Sequence, residues 1–272
     1  MPESAVSGSP GTVLVVRPRA LAVAWVDEMA ALGVPARALP LIEILPAPDA
    51  ASVAAAFEAV EESGAQPVLV FVSPNAVLGF FDAVAAAHGV RVRARWPAHA
   101  RAAATGPGTV AALRDCGVPA ERIVAPTDDA EQFDSEALWS LVAGWRWNAR
   151  PVWIVRGNGG RDWLGQQLRD AGADVRVVQS YARAAPALSP GERALLADAV
   201  ADPVRWIWMF SSSEAIAHLQ ALAPDARWNS SRALASHPRI AERAREAGFG
   251  SVAIVSPSPA AVAAALSGTA SD

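Results

Sequence analysis

The chain has 272 residues, 52% of them hydrophobic, with a formal net charge of −4 and a sequence pI of about 5.6. This length and apolar content can fill the cores of two domains, which argues against a disordered chain. The acidic balance argues against nucleic acid or an anionic membrane surface as a partner, and no apolar run approaches the roughly 18 residues of a membrane span.

The N-terminal segment MPESAVSGSPG has neither the basic nor the apolar region of a signal peptide. We therefore expect a disordered tail over residues 1–10 and a cytoplasmic protein. The single cysteine, Cys116, can form no internal disulfide, and its expected role is that of a buried thiol.

The ordered chain is predicted to begin with a short apolar strand over residues 13–16, which Arg17 and Pro18 end. A helix follows, and Gly33 supplies a left-handed residue just past its end. The face that this helix should bury carries Leu21, Trp25, Met29 and Leu32. A strand over residues 36–39 comes next, and a proline-rich segment then suits an extended connection.

From residue 50 onward, helical and strand patterns alternate with short loops between them. Strict alternation of this kind predicts parallel sheets flanked by helices, in a Rossmann-like or flavodoxin-like α/β fold. The predicted elements are helix 50–62, strand 68–72, helix 75–88, strand 102–104, helix 108–116, strand 123–125, helix 135–143, strand 152–155, helix 161–171 and a strand that ends at Tyr181. They continue with helix 190–200, which Ser189 and Glu192 begin as a capping box, strand 206–210, helix 212–222, strand 233–235, helix 238–247, strand 252–255 and helix 259–266.

The C-terminal elements are too few for a third domain, and together with the first strand and helix they make a second sheet, which predicts two parallel-sheet α/β domains. Residues 11–40 and 186–266 would form a discontinuous domain 1, and residues 49–176 an inserted domain 2. Extended linkers would cross between them at 41–48 and 177–185, and tails at 1–10 and 267–272 would be disordered. A cleft between the domains, bordered by two crossing strands, is the expected result.

Small, hydroxylated or cationic residues follow the predicted strands, at the edge of an open sheet where ligands bind. Free N–H groups at helix N-termini attract carboxylates and phosphates, so we predict binding of an anionic substrate there. Because Ser, Thr, Asn and Asp are also ordinary helix caps, each position alone has a purely structural alternative. The candidates are Arg17, Ser73, Asn75, Gly108, Thr109, Ser135, Arg156, Arg161, Arg183, Ser211, Ser212, Ser213 and His237.

Motifs for nucleotides, metals and activated nucleophiles do not fit. The loop Gly157-Asn158-Gly159-Gly160-Arg161 resembles a dinucleotide fingerprint, but Asp162 stands where the last glycine belongs. A phosphate-binding loop of the G-x-x-x-x-G-K type is impossible because the chain has no lysine. The four histidines lack ligand spacing. We expect neither a cofactor nor a metal.

Tyr181 is the only tyrosine and lies close to Arg183, in a predicted crossing between domains. A phenol at that place can donate a proton or a hydrogen bond to a leaving group. The alternative is a packing role at the hinge. Both interpretations stay open on the residues alone.

Seven segments, taken together and in order, resemble the uroporphyrinogen-III synthase family over about residues 13–266. The resemblance implies cyclisation of the linear tetrapyrrole hydroxymethylbilane, with loss of water and inversion of the last ring, and it implies no cofactor. The matching segments are VLVVRP, VFVSPNAVLGFF, AATGPGTVAALRDCGV, SEALWSLV, VWIVRGNGGRDWLGQQLRDAGADV, VVQSYAR and MFSSSEAIAHL.

By the same resemblance, Tyr181 occupies the position of the family's tyrosine, and Thr109 and residues 211–213 match polar positions that face the cleft. The substrate carries eight carboxylates, which fits the array of helix N-termini and arginines. Transient contact with neighbouring enzymes of tetrapyrrole synthesis is a further expectation. The alternatives are a two-lobed anion-binding or sensor protein and an inactive structural partner in tetrapyrrole assembly.

Overall fold

A computed structural model describes residues 11–88, 96–127 and 134–268 of the chain. Strands and helices alternate along most of it. The first half contains β1 (Thr12–Val15), α1 (Arg19–Ala31), β2 (Ala36–Ala38), β3 (Glu43–Pro46), α2 (Ala50–Glu61), β4 (Val68–Phe71), α3 (Pro74–His88), β5 (Arg101–Ala104), α4 (Pro107–Asp115), β6 (Ile123–Val124) and α5 (Ser135–Val142). The second half contains β7 (Pro151–Arg156), α6 (Trp163–Asp170), β8 (Asp174–Gln179), β9 (Tyr181–Ala184), α7 (Pro190–Ala201), β10 (Trp206–Phe210), α8 (Ser213–Leu222), β11 (Arg232–Ala235), α9 (Pro238–Glu246), β12 (Ser251–Ile254) and α10 (Pro259–Ser267).

The chain forms two compact units. Unit 1 consists of Met1–Glu43 and Ala184–Asp272, and unit 2 is the continuous segment Ile44–Arg183. Unit 1 holds a sheet in the order β12-β11-β10-β1-β2, and unit 2 a sheet in the order β6-β5-β4-β7-β8. All pairs in both sheets are parallel, which confirms the prediction of two parallel-sheet α/β domains.

Alternate residues of β4 pack into two different cores of unit 2. Leu69 and Phe71 join a core with α2, α3 and α4, whereas Val68 and Val70 join a core with α5 and α6. Because successive side chains of a strand point to opposite faces, a strand covered on both faces must be apolar throughout. The sequence VLVF meets that need, and all four residues are buried.

The sheet of unit 1 is also covered on both faces. Val13 and Val15 of β1 pack against Trp25 and Met29 of α1 on one face. The other face carries an aromatic cluster whose ring centroids lie 5.3 to 6.3 Å apart. Its members are Trp208, Phe210, Trp228 and Phe249.

Tyr181 does not end a strand, so that prediction is wrong. β8 ends at Gln179, and Tyr181 begins β9, which pairs with β3 in a separate two-stranded sheet. The residue between them, Ser180, is fully buried, and its hydroxyl donates to the carbonyl of Ala76 in α3 at 2.9 Å. Gly79 leaves room for this approach, because a Cβ there would lie 2.1 Å from the Ser180 carbonyl oxygen. Contact with α3 therefore interrupts the strand.

The buried face of α1 also differs from the prediction. Leu21 and Leu32 are 42% and 49% exposed, and Ala22 takes a buried place beside Trp25 and Met29. Residues 22, 25 and 29 keep the three- and four-residue spacing of one helix face. Leu32 lies past the last helical residue, where the backbone turns toward Gly33 with its positive φ of 74°.

Smaller predictions have mixed outcomes. The capping box of Ser189 and Glu192 and the buried thiol of Cys116 are confirmed. α6 begins at Trp163, two residues later than predicted, and α10 continues to Ser267, the first residue of the predicted tail. Residues 1–10 and 269–272 lie outside the described residues. Among the helices described, none combines the length and the apolarity that crossing a bilayer requires.

Candidate active site

Tyr181 places a buried phenol at the carboxyl edge of the unit 2 sheet. Its side chain belongs to the core of unit 2 and only 6% of the residue is exposed. The phenol oxygen lies 3.3 Å from the Oγ atom of Ser73, which follows β4. The ring packs on the backbone of Gly157, where a Cβ would lie 2.7 Å from the ring atom Cζ. Both contacts are at the hydroxyl end of the ring, so the sheet edge fixes the position of the phenol.

Ser73 connects the phenol to the start of α3. Its Oγ accepts the N–H of Ala76 at 3.1 Å. A hydroxyl with one acceptor position in use can still donate its hydrogen or accept one from a neighbouring phenol. The pair of Ser73 and Tyr181 can therefore exchange the roles of donor and acceptor, as a group that delivers a proton requires.

A cavity of about 420 Å³ opens beside Tyr181 within unit 2. Its size is within the range of small-molecule sites. Of the described residues that line it, Asp82 is the one ionisable carboxylate and none is a cation, and apolar side chains make up most of the rest. This composition suits a largely apolar ring better than a carboxylate arm. The lining residues are Ile44, Leu45, Pro46, Ala47, Ala50, Asn75, Leu78, Gly79, Asp82, Ala83, Ala86 and Tyr181.

The glycine-rich loop after β7 holds its arginines by contacts inside unit 2. Arg156 donates to the carbonyl of Gly160 at 2.7 Å and lies 3.5 Å from the carboxylate of Asp162. Arg161 makes two hydrogen bonds to Glu136, at 2.6 and 3.1 Å. This contact with Arg161 holds the pKa of the Glu136 carboxyl below its usual value. Any anion at this loop must therefore share arginines with existing carboxylates.

A smaller cavity of about 150 Å³ adjoins the same loop. Three predicted site residues line it: Ser135, Arg156 and Arg161. Asp162 lines it as well, and its carboxylate lies 2.8 Å from Arg169. The cavity is thus polar, with cations and carboxylates both present.

Gly108 and Thr109 lie at the start of α4. Gly108 is close to the start of α3, because a Cβ there would lie 3.5 Å from the ring of Pro74. The N-termini of two helices are therefore neighbours at this edge, and their free N–H groups can attract anionic groups. Thr109 itself is only 3% exposed, and its N–H donates to the carbonyl of Gly106 at 3.0 Å.

Arg183 lies in unit 2, where the Asn158 side chain binds its backbone. The other remaining candidates belong to unit 1, where they follow three strands that are neighbours in its sheet. Arg17 follows β1, and its guanidinium lies 4.6 Å from the ring centre of Trp25. Burial lowers the pKa of this guanidinium, and Arg17 forms no ion pair within the described residues. A partly buried cation of this kind can bind a carboxylate at little cost in lost contacts.

Two helix caps stand on the neighbouring strand ends of unit 1. The run Ser211 to Ser213 follows β10, and the hydroxyl of Ser212 accepts the N–H of Glu214 at 3.2 Å. His237 follows β11 and is exposed, and its Nδ1 accepts the N–H of Arg239 at 3.2 Å. Both caps already satisfy backbone donors, which is the structural role that such residues commonly have.

No group of three or more His, Cys, Asp and Glu side chains comes together in the ranges 11–88, 96–127 and 134–268. The two cavities of unit 2 described above are lined by hydroxyls, arginines and carboxylates among their polar groups. Such groups can orient anions and move protons.

The profile of the uroporphyrinogen-III synthase HemD family matches residues 23–264, most of the chain. The chain belongs to the uroporphyrinogen-III synthase family. Relatives include the uroporphyrinogen-III synthases of Salmonella typhimurium and Escherichia coli. The first is 28% identical over 255 residues and the second 28% identical over 250, and each match covers 88% of this chain and 92% of the relative.

Two solved structures share the fold. A mutant uroporphyrinogen III synthase from Thermus thermophilus aligns with a TM-score of 0.56 and 16% identity, covering 95% of this chain and 96% of that one. The uroporphyrinogen-III synthetase of Helicobacter pylori aligns with a TM-score of 0.53 and 17% identity, covering 96% and 99%. At these identities the likeness shows the fold alone.

The family match confirms the recognition drawn from the seven motifs and places the chain among cyclising lyases of tetrapyrrole biosynthesis. In this uroporphyrinogen-III synthase fold, the phenol of Tyr181 lies within hydrogen-bond distance of Ser73, and Tyr181 and Asn75 line the same cavity. It groups Ser135, Arg156 and Arg161 at a second cavity.

Several residues in contact with this site carried no signal in the sequence. The sequence pattern indicates only a helix glycine at Gly79 and a loop glycine at Gly157, yet the missing side chains of both leave room for the segment that begins at Ser180. Asn158 read only as part of a glycine-rich loop, yet its side chain binds the backbone of Arg183, 25 residues away. Such partners follow from the tertiary fold, because no local spacing connects them.

Proposed function

We propose that the protein cyclises hydroxymethylbilane to uroporphyrinogen III, with loss of water and inversion of the terminal ring. The observation that carries the proposal is the buried phenol of Tyr181, which lies 3.3 Å from Ser73 and lines the apolar cavity. A phenol held by a hydroxyl beside an apolar space can protonate a departing hydroxyl without competition from water. Membership of the uroporphyrinogen-III synthase family supports this assignment.

In the proposed reaction, Tyr181 donates its proton as the carbon–oxygen bond of the hydroxymethyl group breaks, and water leaves. The azafulvene cation that remains is attacked by the substituted carbon of the terminal ring, giving a spiro-pyrrolenine. The original bond between the spiro carbon and its bridging carbon then breaks, and the bridging carbon bonds to the other α-carbon of that ring, which inverts it. Loss of a proton from this carbon to the Tyr181 phenolate restores the pyrrole and the phenol. The enzyme's main contribution is to hold the chain ends in this geometry.

The eight carboxylates of the substrate are proposed to meet arginines, hydroxyls and helix N-termini of the two units, which we take as the two domains predicted from the sequence. Arg17 is the strongest binding candidate, because it makes no ion pair in the described part of the chain. Arg161 is a weaker one, because Glu136 already binds it. The other proposed binding residues are Ser73, Asn75, Gly108, Thr109, Ser135, Arg156, Arg183, Ser211, Ser212, Ser213 and His237.

The deciding experiment supplies freshly made hydroxymethylbilane, oxidises the products and separates the porphyrin isomers. We expect the type III isomer in excess. Formation of the type I isomer alone, which the substrate gives by unassisted closure, would refute the proposal and favour a binding protein without catalysis.

Tyr181→Phe tests the assigned role of the phenol. Removal of the proton donor should lower kcat by about 10–100-fold, with a nearly unchanged melting temperature because the ring remains. A variant with full kcat would return Tyr181 to a packing role.

We further propose that the protein works in the cytoplasm and makes transient contact with the enzyme that forms hydroxymethylbilane. The reason is chemical, since the free substrate closes to the wrong isomer without an enzyme. Pull-down of that enzyme in the presence and absence of substrate would test the contact.

A further inference from the structure

The side chain of Asn158 makes the two hydrogen bonds to β9 that the backbone of a paired strand would make. Its Nδ2 donates to the carbonyl of Arg183 at 3.1 Å, and its Oδ1 accepts the N–H of the same residue at 2.8 Å. One amide thus satisfies both backbone groups of one residue, which a strand residue achieves only through pairing with another backbone. The orientation of the amide is determined by these partners, because only the oxygen can accept the backbone N–H.

The residue before Asn158 contacts the same strand at a second point. Gly157 supports the ring of Tyr181, with its ideal Cβ position 2.7 to 3.1 Å from three ring atoms. Gly157 contacts the side chain of Tyr181, and Asn158 binds the backbone of Arg183, two residues further along the strand. The consecutive residues Gly157 and Asn158 therefore hold the alternate residues Tyr181 and Arg183.

The opposite contacts of this segment come from α3. Ser180 donates its hydroxyl to Ala76, and its carbonyl lies over Gly79. These contacts fix the residue before Tyr181, whereas Asn158 fixes the residue two positions after it. Asn158 thus adds a side-chain contact to the pairing of β9 with β3 and to the hydrogen bond that Gln179 Nε2 donates to the Tyr181 carbonyl at 3.3 Å.

We propose that Asn158 is a positioning residue, which holds the phenol of Tyr181 at Ser73 through the backbone of β9. The assignment rests on the proposed function of Tyr181 as proton donor. Asn158 acts through the strand, so its loss should reduce catalysis by misplacing Tyr181. A misplacement of about 1 Å can cost up to 100-fold in rate, and a partial loosening should cost about tenfold in kcat.

The test uses Asn158→Ala in the full chain, and Asn148→Ala as the matched control. Asn148 precedes the same strand β7 at its other end, and its side chain makes no hydrogen bond within the described residues. We expect Asn158→Ala to lower kcat about tenfold, and Asn148→Ala to keep the kcat of the unsubstituted protein.

Tyr181 is the only tyrosine of the chain, so protein labelled with 13C-tyrosine reports on this ring alone. Asn158→Ala should shift and broaden its ring signals, and Asn148→Ala should leave them in place. Combined with Tyr181→Phe, Asn158→Ala should cause no further loss of kcat, because the group that it positions is already gone.

Three results would overturn the proposal: an unchanged kcat in Asn158→Ala, unmoved ring signals, or an equal loss of kcat in the Tyr181→Phe background. Failure of the proposed function is recognised separately, because then the unsubstituted protein itself forms no excess of the type III isomer. The ring signals still show in that case whether Asn158 positions Tyr181.

Discussion

Replacing Gly157 by alanine should move the Tyr181 ring without removing any group that can react. The new Cβ would lie 2.7 Å from Cζ and 3.0 and 3.1 Å from the two Cε atoms. Carbon atoms in contact lie about 3.5–4.0 Å apart, so ring and loop must separate by about 1 Å. The hydrogen bond between the phenol and Ser73 is already 3.3 Å long, so movement of the ring by this distance would break it.

The expected cost follows from this displacement. Overpacking of this size destabilises a protein by about 1–3 kcal/mol, which corresponds to a melting temperature lower by about 2–4 °C per kcal/mol. A proton donor displaced by about 1 Å should lower kcat by about 10–100-fold. The loss of activity should therefore be much larger than the loss of folded protein at assay temperature.

The assay compares kcat for the type III isomer, the melting temperature and the 13C-tyrosine ring signals of Gly157→Ala. Gly159→Ala is the control for the melting temperature and the ring signals. Gly159 lies in the same loop, and a methyl group there would have no atom within 4 Å. Ring signals that do not move would refute the packing argument. Displaced ring signals with full kcat would refute the role of the Tyr181 phenol in the reaction.

Gly79→Ala should destabilise the protein more than Gly157→Ala, by about 3 kcal/mol or more in thermal unfolding, because its Cβ would lie 2.1 Å from the Ser180 carbonyl oxygen. Arg19→Ala should destabilise unit 1 in a pH-dependent way: Arg19, 2.6 Å from Glu192, is the main reason that the pKa of this carboxyl falls from 4.5 to about 2. A carboxyl with a lowered folded pKa contributes stability above pH 4.5 and loses it as the pH falls toward 2. The pKa shift limits the contribution of this carboxyl to the free energy of unfolding to about 3 kcal/mol. Because Arg19 is exposed, we expect its removal to cost about 1 kcal/mol at pH 7, as denaturant unfolding between pH 2 and 7 would measure. Arg17→Ala should raise KM by about tenfold and change kcat less, as steady-state kinetics would show.

Each of these predictions has a control or a contrary outcome. Gly64→Ala should leave the melting temperature unchanged, because no atom lies within 4 Å of the added methyl group. A destabilisation by Arg19→Ala that stays constant from pH 7 to pH 2 would contradict the assigned pKa of Glu192. Arg37→Ala, on an exposed residue of the same unit 1 sheet, should leave KM unchanged, and an equal rise in both arginine variants would count against a specific site at Arg17.

The tryptophans show where a pattern in the sequence stops being informative. Apolar periodicity accounts for Trp25 and Trp208, which the structure buries in the cores of unit 1. No pattern explains Trp145 and Trp147, which lie in the loop before β7. The structure stacks them with centroids 5.5 Å apart and places Arg150 over both rings, so they close the amino edge of the unit 2 sheet.

Local information in the sequence was enough for the elements and the fold class. Continuous apolar runs such as VLVF mark strands covered on both faces, and glycines at positive φ, such as Gly33, Gly117 and Gly172, mark the helix ends between them. Because parallel strands align their carboxyl ends, the order of elements alone also predicts which loops share an edge. The ordered series of motifs identified the family, which the profile match confirms.

Only the tertiary structure decided how Tyr181 is held. Its partners, Ser73 and Gly157, and the neighbouring anchors Gly79 and Asn158 all lie far away in the chain, Ser73 by 108 residues. Steric fit between a carbonyl and a missing side chain, or between an amide and a distant backbone, leaves no periodic trace in a sequence. The sequence therefore determined that a tyrosine stands near the sheet edge, and the packing of α3 and the glycine-rich loop determined where its phenol lies.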